Sequence, residues 1–128
     1  MRVLLDSHVV VAISLHQLRE RFPSIAMLME GDESLAFVST ASLWEIAIKA
    51  RLGKLNVGAP VRALPRYLEA LGVVILPVTA DHAVASVSPE PATKDPFDRM
   101  LLAQCHVEGL QLATADRALV GHPLAWRE

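Results

Sequence analysis

The sequence predicts an α/β sandwich built around a mostly parallel sheet. Two observations carry this reading: four short apolar runs bounded by polar or turn residues, and helix-length segments that alternate with them. Val3-Leu4-Leu5 is a continuous apolar run closed by Asp6, the pattern of a buried parallel strand. Val9 to Leu18 reads as a helix with Arg19-Glu20-Arg21 as its solvated end. Pro23 and Ser24 open a second short helix through Met29, stopped by Gly31. Leu35–Val38 is the second strand. Ser39-Thr40-Ala41-Ser42 supplies capping hydroxyls for a helix from about Ala41 to Leu52, ended by Gly53. A looser piece with Gly58, Pro60 and Pro65 predicts two short helical turns reaching Leu71. Val73–Leu76, β-branched and flanked by Gly72 and Pro77, is the third strand. Ala80–Val87 is a short helix and Ser88–Thr93 a proline-containing loop. Asp95-Pro96 starts a helix to about Val107, with Gly109 beyond it. Leu110–Ala113 is the fourth strand, followed by a short helix from about Asp116.

Composition narrows the class. The 128 residues are 52% apolar and 20% charged with a net charge of -2, which excludes intrinsic disorder and predicts one domain over 1–128. Cys105 is the only cysteine, so no disulfide framework exists and a reducing, cytoplasmic setting is expected. Asp6 and His8 interrupt the apolar opening, and no apolar stretch approaches ~20 residues, so no membrane span is expected. The mean hydropathy of +0.36 is high and predicts a buried partner surface. A pI of 6.2 by itself gives no pointer to nucleic acid.

The informative residues are acids in apolar surroundings. Asp6 ends the first strand and Asp116 follows the fourth, and ligands of open parallel sheets bind at the carboxyl ends of strands. Glu45 shares a helical face with Ala41, Ile48 and Leu52, and Asp98 shares one with Leu101, Leu102 and Cys105. Each has a structural explanation. Ser42-x-x-Glu45 and Asp95-x-x-Asp98 fit capping boxes, Asp116 fits an N-cap and Asp6 a turn. Val78-Thr79-Ala80-Asp81 echoes Ala113-Thr114-Ala115-Asp116, which strand-to-helix turn chemistry explains.

Four such acids around one sheet end call for a shared cause. Two carboxylates ~4 Å apart repel by about 4 kcal/mol at an effective dielectric of ~20. A cluster therefore needs a counter-charge, and Mg²⁺, with Mn²⁺ as substitute, matches oxygen-only ligation. Zinc fits poorly, because His8, His16, His82, His106 and His122 show no ligand spacing. A carboxylate-held Mg²⁺ suits phosphate chemistry. Charge distribution agrees: residues 46–68 hold Lys49, Arg51, Lys54, Arg62 and Arg66 with no acid, while residues 1–45 sum to -3 and 69–128 to -4. A basic stretch beside an acidic site suits a polyanionic substrate, although a solvated helix face has the same pattern.

At these residues the sequence resembles PIN-domain proteins, and among them the VapC-type toxins of bacterial toxin–antitoxin pairs. The blocks are Val3-Leu4-Leu5-Asp6-Ser7-His8, Ser42-Leu43-Trp44-Glu45-Ile46-Ala47-Ile48-Lys49 with Gly53-Lys54-Leu55, and Asp95-Pro96-Phe97-Asp98-Arg99-Met100. Thr114-Ala115-Asp116 continues the resemblance. It implies a three-layer α/β/α fold with a central sheet of four or five strands. It also implies a Mg²⁺-dependent endoribonuclease, a homodimer and a small antitoxin partner. Asp6, Glu45, Asp98 and Asp116 fall on the family's acidic positions as metal-holding, catalytic residues. Thr114 falls on a hydroxyl position near the last acid, and Ser7 stands where Thr is more usual. The loop before Asp95 departs from the family, reading Ala92-Thr93-Lys94.

Two other readings compete with this one. A PIN-like interaction module without cleavage is opposed by the presence of all four acids. A phospho-acceptor receiver domain has a similar length, but Phe37-Val38-Ser39-Thr40 ends its strand without a phosphorylatable Asp.

Overall fold

Alternate residues of the first two strands enter two different cores. Val3 and Leu5 of β1 (Arg2–Leu5), with Ala36 and Val38 of β2 (Leu35–Ser39), face one side of the sheet. Leu4 and Phe37 face the other. A strand buried on both faces reads as an unbroken apolar run, as these do. The computed structural model describes residues 1–127. It arranges four strands, all parallel, in the order β3-β2-β1-β4, with β3 at Val74–Leu76 and β4 at Gln111–Ala113. β1 is central, and its register pairs Leu5 with Ala113. Beyond β4 lies only an isolated parallel bridge between Leu112 and Ala125, so a fifth strand is not formed among the described residues.

Helices cover both faces, giving the three-layer sandwich. The first core takes Val9, Val10 and Ile13 of α1 (Ser7–Ser14) and Ile25 of α3 (Pro23–Glu30). Ile46 of α4 (Thr40–Arg51) and Leu64 and Leu68 of α5 (Leu64–Ala70) complete it. The second core takes Leu101, Leu102 and Cys105 of α7 (Pro96–Glu108), with Val87 and Leu119 from the loops. Burial pushes the Cys105 thiol up to about 12, so it stays a neutral packing group. The short α6 (Ala80–Val84) is fixed by a reciprocal capping box. Thr79 Oγ1 accepts from the His82 N–H, while His82 Nδ1 accepts from the Thr79 N–H. Among the described residues no helix is long and apolar enough to cross a membrane.

Four local expectations are corrected. The first helix stops at Ser14, because His16 takes a φ of 57°, and a separate four-residue α2 (Leu18–Arg21) follows. No glycine or proline marks that break. Asp116 starts a turn rather than a helix, because the chain folds back through Pro123 to bond Leu112 on the outer edge of β4. Leu52 is exposed, so the face shared by Ala41 and Glu45 does not stay buried to the helix end. The cap of α4 is Ser39, whose Oγ accepts from the Ala41 N–H at 3.0 Å. Ser42 lies within the helix, buried and with its hydroxyl unpartnered, so Ser42-x-x-Glu45 is not a capping box.

The two serines should therefore respond oppositely to alanine in urea unfolding. Ser39→Ala should lose about 1 kcal/mol through the cap. Ser42→Ala, which removes a buried hydroxyl with no bond, should be neutral or stabilising.

Candidate active site

The carboxyl end of β1 delivers Asp6 into the protein rather than out to solvent; its exposure is 3%. Its main chain caps α1, and its side chain is bonded at both oxygens. Oδ1 accepts from the Ser7 N–H at 2.7 Å and Oδ2 from the Thr114 hydroxyl at 2.6 Å. Two donors on one carboxylate favour the ionised form, and the short O–H···O contact is that of a charge-assisted bond. Burial nevertheless outweighs them and pushes the Asp6 pKa above its ordinary value; the charge of Asp116 adds to the rise and His8 opposes it.

From Asp6 a chain of hydrogen bonds runs both ways. The Ser7 hydroxyl donates to Glu45 Oε1 at 2.6 Å, and Lys49 Nζ donates to Glu45 Oε2 at 3.0 Å. Glu45 and Lys49 are four residues apart on α4, so the helix brings them together. Glu45 is buried, and the lysine bonded to it is held above its ordinary pKa by that bond. In the other direction, Thr114 Oγ1 accepts from the Asp116 N–H at 3.0 Å. Asp116 Oδ1 accepts from the Ala118 N–H at 2.8 Å, the turn contact expected of it, which leaves its other oxygen without a protein bond among the described residues.

Asp98 joins by charge rather than by a bond. It lies half-buried in the first turn of α7, whose cap is Asp95, with Oδ1 accepting from the Phe97 N–H at 2.8 Å. Asp98 does not return the capping bond. The Asp95 N–H is taken by Thr93 Oγ1 at 3.2 Å, and that hydroxyl donates to Asp98 Oδ2 at 3.2 Å. Burial first, then the charges of Asp95, Asp6 and Asp116, raise the Asp98 pKa from 3.8 to about 6. Arg99 turns away, bonding Thr93 O, Glu90 and Pro91 O, and so fastens the loop before α7.

A family model for the PIN domain matches residues 3–121. The chain belongs to the PIN-domain family. No curated protein matches it. PIN domains are generally nucleases, and the parallel four-stranded sheet with its seven α-helices among the described residues fits that fold.

Of the six residues read from the sequence, hydrogen bonds link Asp6, Ser7, Glu45, Thr114 and Asp116 at this end of the sheet; Asp98 is bonded to Thr93 instead and is related to Asp6 and Asp116 only by their charges. Thr93, the donor to Asp98, does not stand out in the sequence, and Lys49 stands there only in the basic stretch and at the end of a motif block. An i,i+4 Glu–Lys pair was the available signal for Lys49. The donor set of this PIN domain is oxygen alone, which suits a hard divalent cation. As the side chains stand, no three Asp, Glu, His or Cys groups among the described residues are gathered closely enough to hold one.

The sign of the pH effect follows from Asp98. Between pH 3.8 and about 6 the folded chain binds the proton that the unfolded chain has lost, so metal-free stability falls as pH rises through that window. Asp98→Asn should therefore raise the thermal midpoint at neutral pH without divalent ions. The gain should vanish below pH 3.8, where the wild-type carboxyl is protonated in both states.

Proposed function

We propose that this PIN domain is a divalent-metal-dependent endoribonuclease and the toxin of a toxin–antitoxin pair. The observation that carries the nuclease reading is the gathering of Asp6, Glu45 and Asp116 by the Ser7 and Thr114 hydroxyls at the end of the sheet, with Asp98 in the field of Asp6 and Asp116 and, among the described residues, Lys49 bonded only to Glu45. Negative charge left uncompensated by protein groups is what a bound cation relieves. Asp6, Glu45, Asp98 and Asp116 would hold Mg²⁺, or Mn²⁺ in its place. Bound there, the ion would supply Lewis acidity to a phosphate and to water.

The residues divide the remaining work. Ser7 and Thr114 fix the Asp6 and Glu45 carboxylates by hydroxyl bonds, so these groups need little reorganisation when substrate arrives. Asp98 keeps Oδ1 free of protein partners among the described residues, so that oxygen is open to a cation. In hydrolysis, water oxygen bonds to phosphorus as one P–O ester bond breaks. The water proton passes to a nearby carboxylate, and the departing ribose oxygen takes a proton from solvent.

The toxin assignment and the homodimer rest on the motif blocks around Asp6, Glu45 and Asp98 and on one surface. Trp44 of α4 is 64% exposed and stacks edge-on against Phe97 of α7, with ring centroids 5.7 Å apart. With Val78 and Met100 these rings line an apolar groove of about 710 Å³, a surface suited to a second copy of the chain. The antitoxin is the remaining expected partner. The competing reading, a PIN module that binds without cutting, draws on the open spacing of the carboxylates.

Purified protein should cleave RNA with Mg²⁺ and lose the activity with EDTA. Asp6→Asn and Asp98→Asn should each fall at least about a hundredfold. Equal cleavage in every arm would mean a contaminating nuclease. Expressed without an antitoxin, the wild type should arrest growth and Asp98→Asn should not. Size-exclusion chromatography should show a dimer that Trp44→Glu converts to monomer.

A further inference from the structure

We propose that His8, Arg21 and Lys49 form a cleft that holds a backbone phosphate of a single nucleic-acid strand beside the acid cluster. The inference rests on the nuclease reading above and adds the residues that keep the polyanion in place. An acidic site repels its own substrate unless nearby cations offset it, and such cations need not touch the reacting phosphate.

The cleft is a cavity of about 130 Å³ lined by Ser7, His8, Arg21, Glu45 and Lys49 among others. A water needs roughly 10–15 Å³ by this measure, so a phosphate and part of its hydration fit. Three of those five side chains can donate N–H bonds. His8 and Arg21 are exposed, and among the described residues neither has a hydrogen bond or ion pair through its side chain. Arg21 lies over the Phe22 ring, 5.3 Å from its centroid, which orients the guanidinium without using its donors. Lys49 has one bond, to Glu45, and keeps further donors for a ligand.

Arg21 reaches this place because of the break at His16. Had the first helix continued, 14 residues at 1.5 Å each would have carried Arg21 about 21 Å along the axis from Ser7. The left-handed turn and the short α2 bring it back over α1 instead. Arg21 also lines a second opening of about 290 Å³ with Phe22 and Thr114. The one cation thus stands between two cavities, each bordered by a hydroxyl that bonds a site acid. A single strand laid across Arg21 would pass the cluster at both hydroxyls.

Binding of short single-stranded RNA, oligo-U and oligo-A, is measured by fluorescence anisotropy across a salt titration in the Asp98→Asn background. Arg21→Ala should weaken both about tenfold and reduce the log–log salt slope by about 0.7. Arg21→Lys should recover most of the loss, and His8→Ala should act in the same direction. In the active protein Arg21→Ala should raise KM and leave kcat within about twofold. Arg21 is exposed, so an unchanged thermal midpoint verifies the fold. Unchanged affinity and slope, or a loss confined to one base composition, would overturn the cleft, and wild-type cleavage alongside that result would leave the nuclease reading intact. Arg21-dependent binding by a wild-type protein that never cuts RNA would uphold the cleft and remove the nuclease reading.

Discussion

A carboxylate buried at the inner end of the central strand is the constraint around which the rest is arranged. Taking an ion such as Asp6 out of water is strongly unfavourable unless hydrogen bonds replace its hydration. Bonds to a charged group contribute roughly 1.5–3 kcal/mol each, and Asp6 has two, from the Ser7 amide and the Thr114 hydroxyl. The first is local and comes with the strand-to-helix turn. The second comes from 108 residues away, and it exists only because β4 lies beside β1 with Ala113 opposite Leu5.

The same hydroxyl chemistry is repeated outward. Ser7 serves Asp6 through its amide and Glu45 through its side chain, so a single residue couples β1 to α4. Thr93 does the equivalent for Asp95 and Asp98 at the start of α7. Acids packed in this way work against folding stability, as Asp98 shows, and proteins tolerate such local conflict where function requires it.

Much of the fold could be read from periodicity, because strands buried on both faces announce themselves as Val3-Leu4-Leu5 and Leu35-Ala36-Phe37-Val38 do. The α1–α2 break could not, because His16 adopts its positive φ with no glycine or proline beside it. Capping was half legible. Asp95 behaves as its position before Pro96 demands, whereas the choice of Ser39 over Ser42 depends on where β2 ends. At the site, the acids stood out because ionised groups are rare on apolar faces. Thr93 did not stand out, since a threonine in a proline-containing loop has many ordinary explanations. The echo between Thr79 and Thr114 shows the same limit: identical local chemistry ends in a helix cap at one place and in a bond to Asp6 at the other.

The placement of β4 bears on the order of events at the ribosome. Synthesis delivers β1 first of the four strands and β4 last, so until β4 emerges one flank of β1 has nothing to pair with. A nascent chain that has not yet emitted Thr114 lacks one of the two donors on which Asp6 depends. The acid cluster is thus completed only once β4 has been made, and a nascent chain short of it carries no finished blade.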